Sequence, residues 1–182
     1  MELVPPLDNP KKEQHILLQI AEPTKEEVKS PYEELCSSLT SLASYAKELQ
    51  TQSHLIHLNY EAANFLEVHQ FLKDQYEAHL EQFDTLAELV RAMDHLMPMC
   101  DCGLRDSLPQ NCFQRVSSYE PRQQLSTYYQ NLEDLVDMSR KVNCMAEQCG
   151  ELGVSNYLSD LMTDLSKSAW MVKATLRNCA SS

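Results

Sequence analysis

The chain has 182 residues, 43% of them apolar and 23% charged, which suits one domain with a sizeable core and excludes an intrinsically disordered chain. Its 27 acidic residues outweigh 15 lysines and arginines, giving a formal charge of -12 at pH 7, which argues against nonspecific binding to a phosphate backbone and favours attraction of divalent cations. Three glycines are too few for the recurrent turns of a β-rich fold, no apolar run approaches the roughly 20 residues of a membrane helix, and the acidic, proline-rich start is unlike a secretory leader, so a helical, cytoplasmic protein is expected.

Residues 1–29 contain Pro5, Pro6, Pro10 and Pro23 without lasting periodicity and are expected to form a partly ordered arm ahead of a helical domain over 30–182. Ser30-Pro31, followed by Glu33 and Glu34, has the composition of a helix start: a capping hydroxyl, proline at the first helical position and acids in the first turn. Leu35, Leu39, Leu42, Tyr45, Leu49, Leu55 and Leu58 then recur at helical spacing, which predicts a helix to about residue 58. Asn64 is the expected cap of a second helix, with Glu67 at its third position and a broad apolar face from Phe65 through Leu72, Leu80 and Leu86 to Val90. That helix is expected to stop between Met93 and Met97, ahead of Pro98.

Residues 98–120 are irregular, with room for one short helix. A third long helix follows Glu120-Pro121 to about Cys149, Gly150 and Gly153 interrupt it, and a fourth runs from about Ser155 to Leu176. Short outer connections and a long middle one predict an all-α four-helix bundle with a long middle crossover.

Seven cysteines, an odd number without a secretory leader, are expected to be mostly buried thiols. Cys100, Cys102 and Cys112 stand apart: they offer either zinc ligation or a redox pair. The single-residue gap and the lack of an evident fourth ligand weigh against zinc.

The candidate metal ligands are His57, His69, Asp84 and Glu88. Asp84 and Glu88 share a helix face, but His69 lies 15 residues before Asp84, about 22 Å along the axis, so one helix cannot bring both to one ion. Two antiparallel copies can. Positions 69 and 88 share a midpoint with 73 and 84, between Ala78 and His79, so a twofold crossing there sets His69 opposite the other chain's position 88. Mixed imidazole and carboxylate ligation suits iron, manganese or zinc. His57 can join from the preceding helix, because a short loop makes the two helices pack antiparallel. Taken singly, a histidine or carboxylate on a helix is more often a surface residue than a ligand.

The segment from His57 to His69, with Phe65 inside it, together with Asp84-Thr-Leu-Ala-Glu88 and, near the C-terminus, Asp164-Leu-Ser-Lys-Ser-Ala-Trp170, resembles the Dps family of small ferritins. The likeness spans roughly residues 30–178. It implies a ferritin-like four-helix bundle assembled into a twelve-subunit hollow shell built from twofold dimers. It further implies oxidation of Fe(II) to Fe(III) by hydrogen peroxide or dioxygen at mononuclear or binuclear intersubunit sites formed by His57, His69, Asp84 and Glu88, with zinc or manganese as substitute ions, and storage of the ferric mineral inside. Asp160 and Asp164 are candidates to line a pore for iron.

Three departures qualify the resemblance. The family's aspartate four residues after the second histidine is here Lys73, whose ammonium would compete with a cation. The tryptophan that commonly follows the first histidine is Leu58, with Tyr60 and Trp170 as possible aromatic substitutes. The N-terminal arm is net acidic, so strong DNA binding is not expected. Lys73 also keeps open an alternative, a catalytically weak or inactive structural shell or a passive metal and thiol buffer.

Overall fold

The structure, a computed structural model, describes residues 29–178, so most of the expected N-terminal arm and Cys179 lie outside the described residues. The elements are α1 (Pro31–Asn59), α2 (Phe65–Ala92), the short α3 (Asp101–Asp106), α4 (Pro121–Cys149) and α5 (Leu152–Asn178). The expected order of four long helices with a short one in the middle crossover is present.

The ends follow local chemistry. Ser30 Oγ accepts the Glu33 N–H at 3.2 Å while the Glu33 carboxylate accepts the Ser30 N–H at 2.8 Å, closing a capping box on α1. Glu120 does the same work for α4 by accepting the Gln123 N–H, with Pro121 as the first helical residue. Asn64 stands at the expected cap of α2, but its side chain makes no cap hydrogen bond; its Oδ1 instead accepts from the Tyr60 hydroxyl at 2.9 Å, tying the α1–α2 loop together.

The two glycines expected to break the chain after Cys149 differ. Gly150 ends α4 in the left-handed region at φ 78°, whereas Gly153 sits in the first turn of α5, which starts three residues earlier than Ser155. Gly150→Ala is therefore expected to lower stability by about 1 kcal/mol. Gly153→Ala, whose methyl would meet open space, should raise it by up to about 1 kcal/mol. Urea unfolding at matched protomer concentration reads both signs.

Helix α1 packs along α2, α4 along α5, and α1 against α4. Leu35, Leu39, Leu42 and Leu49 of α1 meet Leu72, Leu86 and Val90 of α2, Leu125, Leu132 and Leu135 of α4, and Leu158 and Leu165 of α5 in one buried cluster, each leucine contributing about 2 kcal/mol of hydrophobic stabilisation. A polar knot fixes the crossover to this core. Asn131 Nδ2 donates to the Gln114 carbonyl and to Gln52 Oε1, its Oδ1 accepts from the Gln114 N–H and the Tyr45 hydroxyl, and Gln52 Nε2 also donates to the Gln114 carbonyl.

Burial corrects two expectations. Of the described cysteines only Cys36 is buried; Cys100, Cys102 and Cys144 are exposed, because they lie in the crossover or on an outer helix face. Leu55, Leu58, Phe65 and Leu80, read as part of apolar core faces, are exposed in the single chain. They lie around the helix from the buried stripe, where periodicity alone does not distinguish a core from an interface.

Candidate metal centre

The five-residue loop between α1 and α2 turns the chain back on itself, and this brings His57 onto His69. Their rings stack with centroids 3.7 Å apart and planes at 20°. Each ring also holds the other's backbone: His57 Nδ1 donates to the His69 carbonyl at 2.8 Å and His69 Nδ1 to the His57 carbonyl at 3.0 Å. A carbonyl can only accept, so both Nδ1 atoms carry protons. In the neutral rings the lone pairs are then on Nε2, and neither Nε2 makes a hydrogen bond among the described residues. Fixing Nδ1–H on a carbonyl is how proteins orient an imidazole for metal ligation through Nε2.

Asp84 and Glu88 are exposed on α2, some four turns from His69, and among the described residues of one chain no three His, Cys, Asp or Glu side chains come together to hold a metal. They share a face, however. At 100° per residue, positions 69, 73, 84 and 88 fall within roughly a 100° arc of the helix. Leu66 and Leu80 lie on the same arc, 75% and 50% exposed, beside Leu58 of α1 at 63%. Candidate ligands, Lys73 and uncovered leucines thus occupy one face. His79 does not belong to it: at 1% exposure it points into the bundle, so a twofold crossing at this level would run over Glu77 and Leu80. Lys73 forms an ion pair with Glu77 of its own helix at 3.7 Å, both side chains about half exposed, a contact of small energetic weight.

Two neighbours of the histidine pair escaped the sequence reading. His54 stacks on Tyr76 with centroids 4.2 Å apart, and Tyr76 meets His57 edge to face at 5.4 Å. The signal was available in their spacing, since His54 is one turn before His57 on α1 and Tyr76 two turns after His69 on α2. Phe65 lies over His69 at 4.9 Å. Of the two aromatics considered as substitutes near the site, Tyr60 is buried and bonded to Asn64, and Trp170 is exposed on α5. Tyr76 is in ring contact with both His54 and His57. Asp160 and Asp164 are both exposed on α5.

The sequence matches the ferritin-like domain family over residues 38–182. The chain belongs to the ferritin-like family. Several of the proteins it resembles are Dps proteins, as the histidine and carboxylate pattern implied. The DNA protection during starvation protein of Helicobacter pylori is 25% identical over 123 residues, covering 68% of this chain and 85% of that protein. A Dps protein from Bacillus brevis superposes with a TM-score of 0.76 at 18% identity, over 82% of this chain and 99% of that one. The Dps protein of Vibrio cholerae, described as a member of a broad superfamily of ferritin-like diiron-carboxylate proteins, superposes with a TM-score of 0.74 at 20% identity, over 80% and 91% of the two chains. Among the described residues no helix is long and apolar enough to cross a membrane.

Proposed function

We propose that this chain, an iron-storage protein by family, oxidises Fe(II) with hydrogen peroxide or dioxygen at sites shared by two copies and retains the ferric product in a twelve-subunit shell. His57 and His69 of one copy would face Asp84 and Glu88 of its twofold partner. The observation that carries this reading is the reciprocal Nδ1-to-carbonyl locking of the two histidines, which leaves two oriented Nε2 lone pairs without a hydrogen-bond partner among the described residues. Imidazole nitrogens retain Fe(II), and carboxylates favour the harder Fe(III) produced when each ion gives up one electron. Two Fe(II) ions balance the two electrons that reduce one peroxide to water. Exposed Leu58, Leu66 and Leu80 supply the apolar contact that a twofold interface around such a site requires. With its acidic excess, the chain is proposed to concentrate cations rather than DNA.

The test is anaerobic titration of the metal-free protein with Fe(II), then a measured addition of hydrogen peroxide while ferric absorbance and protein-retained iron are followed. Saturable binding of about one to two irons per chain, rapid oxidation and retention support the proposal. Oxidation no faster than in buffer favours the second reading, a shell without a working oxidation centre.

Lys73 is the specific observation behind that second reading. It stands one turn from His69 on the ligand-bearing face, where its ammonium opposes cation binding. Lys73→Asp is expected to tighten Fe(II) binding by about tenfold or more, because it removes a positive charge and adds an oxygen donor. Competition against a chelator measures the change; unaltered affinity would place Lys73 outside the ion's reach.

A further inference from the structure

The crossover carries a cluster that iron chemistry does not use. Cys100 and Cys102 are both exposed, and their Sγ atoms lie 2.6 Å apart, so the backbone holds the two sulfurs side by side, where a small rotation brings them to S–S bonding distance. We propose that Cys100 and Cys102 form a reversible dithiol–disulfide couple that reduces hydroperoxides, with Cys100 as the attacking thiol and Cys102 as the resolving one. The other described cysteines are placed differently: Cys36 is buried, Cys112 and Cys149 are half-buried, and Cys144 is exposed on α4, with no second thiol in contact with any of them among the described residues.

Two contacts divide the roles. Cys100 Sγ accepts the Gly103 N–H at 3.3 Å and is paired with the Cys102 thiol, so a negative charge on Cys100 has two donors aimed at it. The Cys102 S–H and then the Gly103 N–H hold the Cys100 thiol below its ordinary range, and the same pairing pushes Cys102 up. Gly103 permits this geometry: a Cβ there would meet the Pro98 Cβ at 3.0 Å and the Cys100 Sγ at 3.6 Å. The surroundings also tolerate ring closure. Helix α3 has no buried residue, so bonding the two sulfurs moves nothing in the bundle core.

The chemistry closes on itself. The Cys100 thiolate attacks one peroxide oxygen, the O–O bond breaks, and the leaving hydroxide or alkoxide takes up the proton, leaving Cys100 as a sulfenic acid. The Cys102 sulfur then attacks the Cys100 sulfur, the S–O bond breaks, and hydroxide takes the Cys102 proton to leave as water. Two thiols lose two electrons and the peroxide gains them. A dithiol reductant reverses the bond by exchange. Two sulfurs fit this two-electron couple better than a metal site, which needs further ligands that the described residues do not bring to the pair.

The test uses the full-length, metal-free, prereduced protein with hydrogen peroxide and a chelator present. Trypsin releases residues 92–105, a peptide containing Cys100 and Cys102 and no other cysteine. Its mass should fall by two hydrogens on peroxide treatment and recover with dithiothreitol, while Cys144 stays a thiol. In Cys102→Ser, Cys100 should stop as a sulfenic acid trapped by dimedone; Cys100→Ser should slow peroxide consumption about tenfold or more. Gly103→Ala, which leaves both thiols in place, should slow formation of the disulfide. Sulfoxide formation at Met99 with the thiols intact would overturn the proposal, as would oxidation of Cys144 at the same rate, a cross-link to another chain, or tight Cu(I) or Zn(II) binding that protects the pair.

Discussion

Co-assembling a His57→Ala/His69→Ala chain with an Asp84→Ala/Glu88→Ala chain is expected to restore about a quarter of the oxidation sites, although a shell of either variant alone has none. The arithmetic follows from symmetry. Random pairing makes half of the dimers mixed, and each mixed dimer has one site that lacks every ligand and one that lacks none. A site formed within a single chain would give no recovery at any mixing ratio. The expectation rests on α2 itself, which carries His69 and Asp84 too far apart to share an ion. Fe(II) bound at saturation and the initial rate after peroxide should recover together, in proportion to the fraction of mixed dimers. Because His57 and His69 also tie α1 to α2 through each other's carbonyls, each variant shell should first be checked for native mass. A His57→Gln/His69→Gln chain keeps side-chain donors for those carbonyls if the alanine pair fails to assemble.

The helices were legible because their signals are local. Ser30-Pro31 and Glu120-Pro121 announce starts, and the leucines of α1 and α4 recur at the spacing of one buried face. Gly153 misled because a glycine near a helix start costs little and does not require a break; of these two glycines, Gly150 is the one in the left-handed region. The antiparallel approach of His57 to His69 followed from a short loop, but the reciprocal carbonyl bonds did not, since they depend on the rotation of each helix about its axis. The helical spacing of His54 and Tyr76 from the pair placed them on its side of each helix, but their stacking on one another depends on that same rotation. Leu58, Leu66 and Leu80 show the complementary limit. In the proposed assembly the chain would bury apolar surface twice, once in its bundle and once against another copy, and sequence periodicity does not separate two such stripes.

Acidification from pH 7.5 to pH 4.5 should cost the fold about 2 to 3 kcal/mol through His79 alone. The ring is enclosed in the bundle. Its Nδ1 bonds to Gln82 Oε1 and its Nε2 to the Tyr128 hydroxyl, both at 2.8 Å, and both partners are uncharged. Burial without a counter-ion disfavours the imidazolium and holds the pKa down to about 4, an effect that the bond to Gln82 only partly opposes. In the unfolded chain the same histidine titrates near 6.5. Between those two values the unfolded state binds the proton and the folded state does not, so the contribution is complete above about pH 6.5, falls as pH is lowered, and stops changing below about pH 4. Carboxylates add their own acid sensitivity, so the decisive quantity is the difference between the wild-type protein and His79→Gln, which fills the site with a neutral hydrogen-bonding group. Urea unfolding at fixed protomer concentration should show the variant less stable than wild type at pH 7.5 and the gap narrowing or reversing by pH 4.5. A gap that stays constant across the window would mean that the ring accepts its proton inside the bundle, with Tyr128 and Gln75 reorganising around the charge.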